Sequence, residues 1–456
     1  MHSCRTMSAP AGCGPFPVTG GELKRWPTPP SIFRPDSSTH RQVSDPATAN
    51  EGAGVCAGRV KGPPPRTATW RAAPLWRTRS GRNATGRCPQ FTPLTHTRLI
   101  PPPQENSTMT PRQRIQAVFN GEQPDRVPFT IYDALLPRGE AEQRLRNQGL
   151  GLCAHAGVFS ITRPNVTMTT EQFYRDDTLY YRETFHTPAG EVSQVRRTGG
   201  GYDTSRISEY LIKSPDDYRV VELMVRDEVY EPTYESYLKR AETIGEAGIV
   251  LGGWLPRTPM MCMMWELMSH EQFAIDLHER PDLFFRLYET IAERRREQFR
   301  LCAKSPAQCL HIGDNITADM IGRERFRDYC VPLYDEFCDL LHEEGKLLAV
   351  HMDGRMRPLL DLVAQSKVDI IEAFSPYPDG DVPMADARAA WPEKIIWINY
   401  PSPVHLWPSS EIETFTRDLL AAVAPGDRFM IGVTENIPDD DWAKSLSVIA
   451  DVVGEG

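Results

Sequence analysis

From residue 230 to the C-terminus, short apolar runs alternate with longer segments of helical periodicity, and this alternation restricts the possible fold more than any other feature. The apolar runs are 248–254, 309–315, 347–353, 368–374, 394–400 and 428–433, with an earlier one at 127–132. Runs this apolar are expected for strands that are buried on both faces of a parallel sheet. Seven strands, most of them followed by a helix, predict an α/β protein of the (β/α)8 TIM-barrel type. A doubly wound sheet is the alternative, but no G-x-G-x-x-G or Walker-type loop follows any of the strands.

Two stretches upstream of this alternation are assigned from their local pattern. Residues 139–157 carry helical periodicity, whereas residues 165–200 alternate Thr, Tyr and Val and have turn signals near 176–177 and 189–190. Alternation with a period of two between turns predicts antiparallel hairpins. We therefore expect a barrel domain over residues 109–456 that contains an inserted β-hairpin region.

Residues 1–108 have the composition of a disordered extension. They hold 17 of the 40 prolines, and 14 Lys and Arg against 5 Asp and Glu. Such a segment cannot bury enough apolar surface to offset the entropy of ordering. The composition fits a gene start placed too far upstream, which Met109 at a helix start favours, or an organellar transit peptide rich in Arg, Ser and Thr. A nucleic-acid-binding arm is a third option, disfavoured because the basic residues are scattered.

The remaining chain is acidic. The whole sequence has a formal net charge of −10, so residues 109–456 carry −19. This charge disfavours a nucleic-acid partner, and no run is long and apolar enough to span a membrane. The six cysteines of this part include no C-x-x-C pair and no zinc-finger spacing. These features predict a cytoplasmic protein without structural disulfides.

Polar side chains follow the predicted strands at the ends where barrel enzymes hold their active sites. They are Asp133, Trp254 with Arg257, Asp314 with Asn315, His351 with Asp353, Glu372, Asn399 and Glu435. His351 and Asp353 point to the same side of an extended strand because side chains alternate with a period of two. Together with Glu372, which ends the next strand, they indicate acid–base or metal chemistry. Trp254, Glu372 and Asn399 are candidates for binding substrate.

The other strand-end residues have a structural interpretation beside the functional one. Tyr132 and Asp133 end the first strand, where they are acid–base candidates, although Asp133 also suits a turn. Asp314 is a catalytic candidate and Asn315 a substrate-binding one, but both also suit the capping of the following segment. Arg257 suits an anion clamp in the substrate site or a salt bridge to a neighbouring acid.

Two further features are explained first by packing. His311, within the run 309–315, is expected to be a layer residue inside the barrel. The segment 259–268 contains five methionines, which suit the wall of a pocket for a flat macrocycle or a buried helix. The buried helix is the commoner outcome for such a segment.

Four sequence blocks, in the same order, resemble the uroporphyrinogen decarboxylase superfamily. They are TPRQRIQAVFNGEQPDRVPF, GGWLPRTPMMCMMWELMSHEQFAIDLHERPDLFFRLYE, IGDNITADMIGRERFRDYCVPLYDEFCDLL and the unit at 347–374 with its His-Met-Asp-Gly turn. The resemblance covers residues 109–456 and implies a distorted (β/α)8 barrel. Members of this superfamily are often dimers, so a homodimer is consistent with it.

The resemblance is nearer to the methyltransferase-like members than to the true decarboxylases. The decarboxylases hold their tetrapyrrole with an N-terminal arginine run and use a late His, and neither feature occurs at 127–133 or 428–435. A tetrapyrrole decarboxylase, which is a lyase, and a non-catalytic corrinoid- or ligand-binding barrel are the alternatives.

The methyltransferases of the superfamily bind zinc through a His-x-Cys pair and a later Cys. His351 matches that His, Asp353 stands where the first Cys would be, and Glu435 is the nearest candidate for a third ligand. The resemblance thus implies a divalent metal, either Zn²⁺ or a cation such as Mn²⁺ or Fe²⁺ that suits harder oxygen ligands. It also implies a small-molecule substrate and a separate corrinoid protein, because the chain has no D-x-H-x-x-G motif.

Overall fold

The computed structural model describes residues 108–199 and 205–455, which form a closed barrel of eight parallel strands with an inserted antiparallel sheet. The barrel order is β1-β14-β13-β12-β11-β10-β9-β2. The predicted (β/α)8 fold is therefore confirmed. The interpretations of residues 1–107 as disordered, as a transit peptide or as an upstream artefact lie outside the described residues.

The strands alternate with helices along the chain. The strands are β1 Phe129–Tyr132, β2 Gly151–Ala156, β3 Phe159–Thr162, β4 Thr167–Arg175, β5 Thr178–Thr187, β6 Gly190–Thr198, β7 Ser205–Glu209, β8 Val229–Pro232, β9 Gly248–Leu255, β10 Cys309–Ile316, β11 Leu347–Met352, β12 Ile370–Phe374, β13 Ile395–Asn399 and β14 Phe429–Val433. The helices are α1 Pro111–Phe119, α2 Glu140–Asn147, α3 Pro215–Arg226, α4 Glu235–Ile244, α5 Pro259–Cys262, α6 His270–Glu279, α7 Pro281–Ala303, α8 Ala318–Ile321, α9 Arg323–Arg325, α10 Val331–His342, α11 Leu360–Gln365, α12 Met384–Ala390, α13 Ser409–Ala422 and α14 Trp442–Gly454. Short π-helical turns at Met263–Leu267 and Phe326–Cys330 lie beside α5 and α10. Within the described part of the chain, no helix is both long and apolar enough to cross a membrane.

The second barrel strand, β2, was predicted as part of a helix over 139–157, and that prediction is wrong for its second half. The helix α2 ends at Asn147, and Gly149 then adopts φ +97°, a left-handed conformation that favours glycine. The chain continues as β2, which pairs with β1 and β9. The run Gly151–Ala156 is short and apolar, and such a run cannot be told from a helical segment by periodicity alone.

The inserted region between β2 and β9 contains the predicted hairpins. Strands β4 to β7 form a four-stranded antiparallel sheet, and β3 pairs with β8 in a second small sheet. The turns fall between β4 and β5 and between β5 and β6, where the sequence signals predicted them.

The first helix covers the N-terminal end of the barrel. Ile115, Val118 and Phe119 of α1 belong to the apolar cluster that fills the barrel interior, and Phe119 packs edge-to-face on Trp397 of β13. Because this end is filled by apolar side chains, polar groups inside the barrel can meet only toward the C-terminal ends of the strands.

The buried His405 predicts a measurable pH dependence of stability. Its Nδ1 lies 2.6 Å from Ser445 Oγ, and burial lowers the pKa of His405 from 6.5 to about 4. Between these values the unfolded chain binds a proton that the folded chain does not, so the free energy of unfolding falls as the pH falls. We expect this residue to contribute about 3 kcal/mol to the loss between about pH 7 and pH 4. Urea unfolding of the His405→Gln variant should give a flatter pH profile than the wild type, and parallel profiles would contradict the assignment.

Candidate active site at the C-terminal mouth of the barrel

A buried carboxylate lies at the centre of the polar groups inside the barrel. Glu372 on β12 is fully buried, and its Oε1 accepts a hydrogen bond from the Tyr132 hydroxyl at 2.6 Å. Its Oε2 accepts from His311 Nε2 at 3.0 Å and from His351 Nδ1 at 2.8 Å. Three side chains from strands far apart in sequence therefore converge on one carboxylate.

The backbone around Glu372 is irregular in a way that favours a functional role. The pairing of β12 with β13 shifts register between Glu372 and Phe374, and Ala373 adopts φ +56°. A non-glycine residue in the left-handed region costs roughly 1–3 kcal/mol, and such residues are common at active sites. The irregularity follows the residue that carries the central carboxylate.

The charges of this cluster are interdependent. Burial alone would raise the pKa of Glu372, but the neighbouring His351 and His311 together hold it well below the usual range. Burial tends to lower the pKa of His351, and the charge and hydrogen bond of Glu372 outweigh this and raise it. Burial and the Glu372 charge raise the pKa of Tyr132, which stays a neutral hydrogen-bond donor. The cluster is thus an ionised carboxylate with one phenol and two imidazoles as donors.

His155 of β2 extends the network by one residue. Its Nε2 lies 3.2 Å from His311 Nδ1, and burial together with the charge of His311 lowers the pKa of His155 to about 3. His311 thus bonds through Nε2 to Glu372 and through Nδ1 to His155. His311 is therefore held at both ring nitrogens.

Trp254, a predicted substrate-binding residue, covers this cluster. Its ring stacks on His155 at a centroid distance of 4.6 Å and lies 4.6 Å from His311 and 6.0 Å from His351. A Cβ at Gly313 would lie only 2.6 Å from Trp254 Cε3, so a glycine is needed here to seat the indole. Trp254 is 51% exposed as a residue, so it is open to a ligand at the barrel mouth.

His351 has one ring nitrogen that remains available at the mouth. Nδ1 is engaged by Glu372, while Nε2 lies 3.9 Å from Asp353 Oδ2. Burial raises the pKa of Asp353, the charge of His351 opposes this, and the charge of Glu435 adds to it. His351 and Asp353 thus present a nitrogen and a carboxylate oxygen side by side, as the period-two alternation predicted.

The third predicted metal ligand, Glu435, is nearby but differently engaged. Its carboxylate is exposed and accepts a hydrogen bond from the Ser402 hydroxyl, and its charge raises the pKa values of both His351 and Asp353. The set of His351, Asp353 and Glu435 stays a prediction.

Two groups of ligand atoms come within 4.8 Å of one another in the described part of the chain: His311, His351 and Glu372, and Cys338, His342 and Asp369. In the first group the ligand atoms already bond to one another. The second lies near the opposite end of the barrel, since Asp369 precedes β12 and its Oδ2 accepts from Leu348 N near the start of β11.

The other predicted site residues lie apart from Glu372 or are held by the fold. Asp314 is buried and accepts hydrogen bonds from Thr258 and from the Tyr334 hydroxyl, so its oxygens are taken up. Asp133 pairs with Arg240. These contacts are those of structural carboxylates, and a catalytic role for either Asp rests on the sequence pattern alone.

The structure also places the predicted substrate-binding residues Asn315, Asn399 and Arg257. Asn315 adopts φ +53°, a left-handed conformation that Asn tolerates better than most residues. Asn399 is buried and its Oδ1 accepts from Thr434 N at 3.0 Å. Arg257 donates to the carbonyl of Gly313 and lines a separate cavity beside the inserted sheet.

Sequence reasoning treated His311 only as a layer residue and did not single out His155. His311 is indeed fully buried inside the barrel, but it also bonds to Glu372. His155 could not be placed because β2 was read as helix. The usable signal for both is the alternation along the strand, which puts them on the same face as the interior residues Cys309 and Cys153.

The family profile described as Uroporphyrinogen decarboxylase (URO-D) matches residues 201–433, more than half of the 456 residues. The chain belongs to the URO-D family. The family membership inferred from the four sequence blocks is therefore confirmed. The matched residues include His311, His351 and Glu372.

Solved structures similar to this URO-D family chain are distant. A methyltransferase from Methanosarcina mazei has a TM-score of 0.46 at 13% identity, covering 76% of this chain and 99% of that one. A putative vitamin-B12 independent methionine synthase from Listeria monocytogenes has a TM-score of 0.31 at 11% identity, covering 47% of this chain and 66% of that one. Likenesses this weak carry no argument about activity. The comparison with curated protein sequences found no match.

The central carboxylate predicts a large effect on stability. Glu372→Ala leaves Tyr132, His311 and His351 without their shared acceptor, so we expect the free energy of unfolding to fall by about 3–5 kcal/mol. Tyr132→Phe removes one donor only and should cost about 1–3 kcal/mol. Urea unfolding of the two variants beside the wild type measures both effects. A Glu372→Ala variant as stable as the wild type would show that the network is not stabilising.

Proposed function

We propose that this URO-D family protein is a methyltransferase-type enzyme that acts on a small molecule at the C-terminal mouth of the barrel. The observation that carries the proposal is the orientation of His351. Its Nδ1 is fixed by the buried Glu372, and its Nε2 is left beside Asp353. In many metal sites a carboxylate accepts a hydrogen bond from one ring nitrogen of a histidine and so orients the second ring nitrogen toward the metal. Glu372 holds His351 in this way, and Asp353 is the neighbouring candidate ligand.

The donor set fits a divalent cation. Ligands on a tetrahedral Zn²⁺ with bonds near 2.0–2.1 Å lie roughly 3.3 Å apart, and His351 Nε2 lies 3.9 Å from Asp353 Oδ2. These two groups would hold the ion, and Glu435 would have to leave Ser402 to become the third ligand. Carboxylate ligands also suit Mn²⁺ and Fe²⁺. When bound, the cation would supply Lewis acidity and lower the pKa of a coordinated thiol, alcohol or water.

The chain's own residues prepare the site in three ways. Glu372 fixes the tautomer and the ring orientation of His351, and Tyr132 helps to keep Glu372 ionised by donating to its second oxygen. Trp254 covers the histidines on one side and offers a flat apolar surface to a substrate. The buried cluster beneath excludes water from the inner side of His351.

The methyl group would be exchanged with a corrinoid on a separate protein. The resemblance to the methyltransferase-like members of the family supports this, and the chain carries no corrinoid-binding D-x-H-x-x-G motif of its own. The partner would have to reach the open side of Trp254 and Asp353. A homodimer is compatible with this arrangement.

A lyase of the decarboxylase type is the second candidate, and one observation favours it. Glu372 raises the pKa of His351 despite burial, so in the absence of a metal His351 is suited to give a proton to a carbanion left by loss of CO₂. Against it, Asp353, Asp379 and Glu435 concentrate negative charge at the mouth, and burial together with Glu435 raises the pKa of Asp379. Such a mouth repels a substrate with many carboxylates.

A non-catalytic ligand-binding barrel would show neither turnover nor a requirement for His351.

Metal content is the first test of the proposal. Full-length protein reconstituted with Zn²⁺ and dialysed should hold about one ion per chain, and His351→Ala and Asp353→Ala should each lose it, because only two of the three proposed ligands remain. Elemental analysis measures the ion directly, without an activity assay.

The second group of ligand atoms provides a matched control for this experiment. His342→Ala removes a histidine that bonds to Asp369 at the other end of β12, and this variant should keep the ion. If His342→Ala loses the ion while His351→Ala keeps it, the metal is bound away from the mouth and the proposed site is wrong. If no variant or wild-type protein holds an ion, the lyase becomes the better proposal.

Methyl transfer is tested with methylcobalamin and a panel of small thiols and alcohols, followed by the absorbance change on demethylation. We expect turnover by the wild type and by His342→Ala, and none by His351→Ala. Glu372→Gln keeps the shape of the side chain but loses its charge, and should cost roughly 10–100-fold in turnover. Equal rates for Glu372→Gln and the wild type would contradict the orienting role of Glu372.

A further inference from the structure

A second cavity, which we call the arginine cavity, lies between the inserted sheet, α3 and the segment that follows β9. Its volume is about 760 Å³. Four arginines line it: Arg163, Arg196, Arg206 and Arg257. None of Tyr132, Glu372, His351 and Trp254 lines it, so it is separate from the histidine cluster at the barrel mouth.

The charge of the arginine cavity is opposite to that of the chain. Its lining contains the four arginines and one acid, Glu266. Arg163 also pairs with the buried Glu228 at 2.5 Å, so the four arginines exceed these two acids by two charges, whereas the sequence as a whole carries −10. Positive charge gathered in a concave site on an acidic protein concentrates anions there.

Several hydrogen-bond donors in this lining have no acceptor. Arg163 Nε, Arg257 Nε and Trp265 Nε1 are buried and lack a hydrogen-bond partner among the described residues. Glu266 Oε1 lies 3.3 Å from Arg257 Nε but is too poorly aligned to accept from it. A buried donor without an acceptor is destabilising, and an anion in the cavity would supply the missing acceptors once these side chains turn toward it.

Apart from Gln194, Ser205 and Tyr210, the rest of the lining is apolar and partly aromatic. It includes Phe185 of β5, Ile207 of β7, Val221 and Met224 of α3, and Leu267. A cavity of this size, with an apolar wall and a few convergent polar groups, has the features of a small-molecule site. The donors would hold a charged group, and the apolar wall would pack on the body attached to it.

We propose that the arginine cavity binds a small organic anion, in which a phosphate, sulfonate or carboxylate group is attached to an apolar, aromatic body. The guanidinium groups and the Trp265 indole N–H hold the acidic group, and the body packs against Phe185 and Met224. The inserted sheet therefore builds a second ligand site beside the barrel. This proposal is independent of the methyltransferase proposal for the mouth.

The test compares two ligands that share an aromatic body and differ in whether it carries a phosphate group. Isothermal titration calorimetry of the full-length protein should give saturable binding of 1-naphthyl phosphate and much weaker binding of 1-naphthol. The double variant Arg196→Gln/Arg206→Gln should weaken binding of the phosphate at least about tenfold, because it removes two guanidinium groups that form charge-assisted hydrogen bonds. Trp265→Phe, which keeps the aromatic ring and removes only the N–H, should weaken it by about three- to fivefold.

Arg197→Gln is the matched control. Arg197 is the next residue on β6, so its side chain lies on the opposite face of the sheet, and it does not line the cavity. This variant carries one charge fewer on the same strand and should bind 1-naphthyl phosphate like the wild type. If the double variant fails to fold, Trp265→Phe leaves the charge unchanged and still tests the site.

Four results would overturn the proposal. The first is no saturable binding of 1-naphthyl phosphate, and the second is equal affinity for 1-naphthol. The third is binding that survives in the double variant and in Trp265→Phe but is lost in His351→Ala, which would assign the anion to the barrel mouth. Equal losses in the double variant and in Arg197→Gln would likewise indicate non-specific attraction.

Discussion

The ionised carboxylate of Glu372 is the interaction on which the interior of the barrel mouth depends. A buried charge is costly unless donors surround it, and here a phenol and two imidazoles donate to its two oxygens. These donors come from β1, β10 and β11, so a single anion joins four strands of the barrel. The requirement to satisfy it determines the orientation of each ring.

This arrangement links the fold to the proposed chemistry. Because Glu372 occupies Nδ1 of His351, only Nε2 is free, and it lies at the mouth next to Asp353. His311 has both nitrogens engaged and therefore supports the cluster from below. The buried donors orient the site, and the exposed edge is left for ligands. The arginine cavity has the opposite character, because three of its donor atoms lack acceptors among the described residues and its charge is positive.

Much of the barrel could be predicted from the sequence, because strands buried on both faces leave continuous apolar runs. Seven of the eight strands were predicted from such runs, and so were the inserted hairpins. The strand β2 was missed because an apolar run of six residues after a helix resembles the continuation of that helix. The same error concealed His155. Asp314, by contrast, was given a chemical role from its place at a strand end, yet it faces Thr258 and Tyr334.

By itself, the sequence determined the alternation of strands and helices, the end of the barrel at which polar residues collect, and the pairing of His351 with Asp353 on one side of a strand. These are local properties of periodicity and residue type. Only the tertiary structure decided that Glu372 lies at the centre, that His311 and Tyr132 bond to it, and that four arginines line one cavity. The physical reason is that barrel closure sets the register between distant strands, and contacts such as Tyr132 with Glu372 depend on that register and leave no local pattern in the chain.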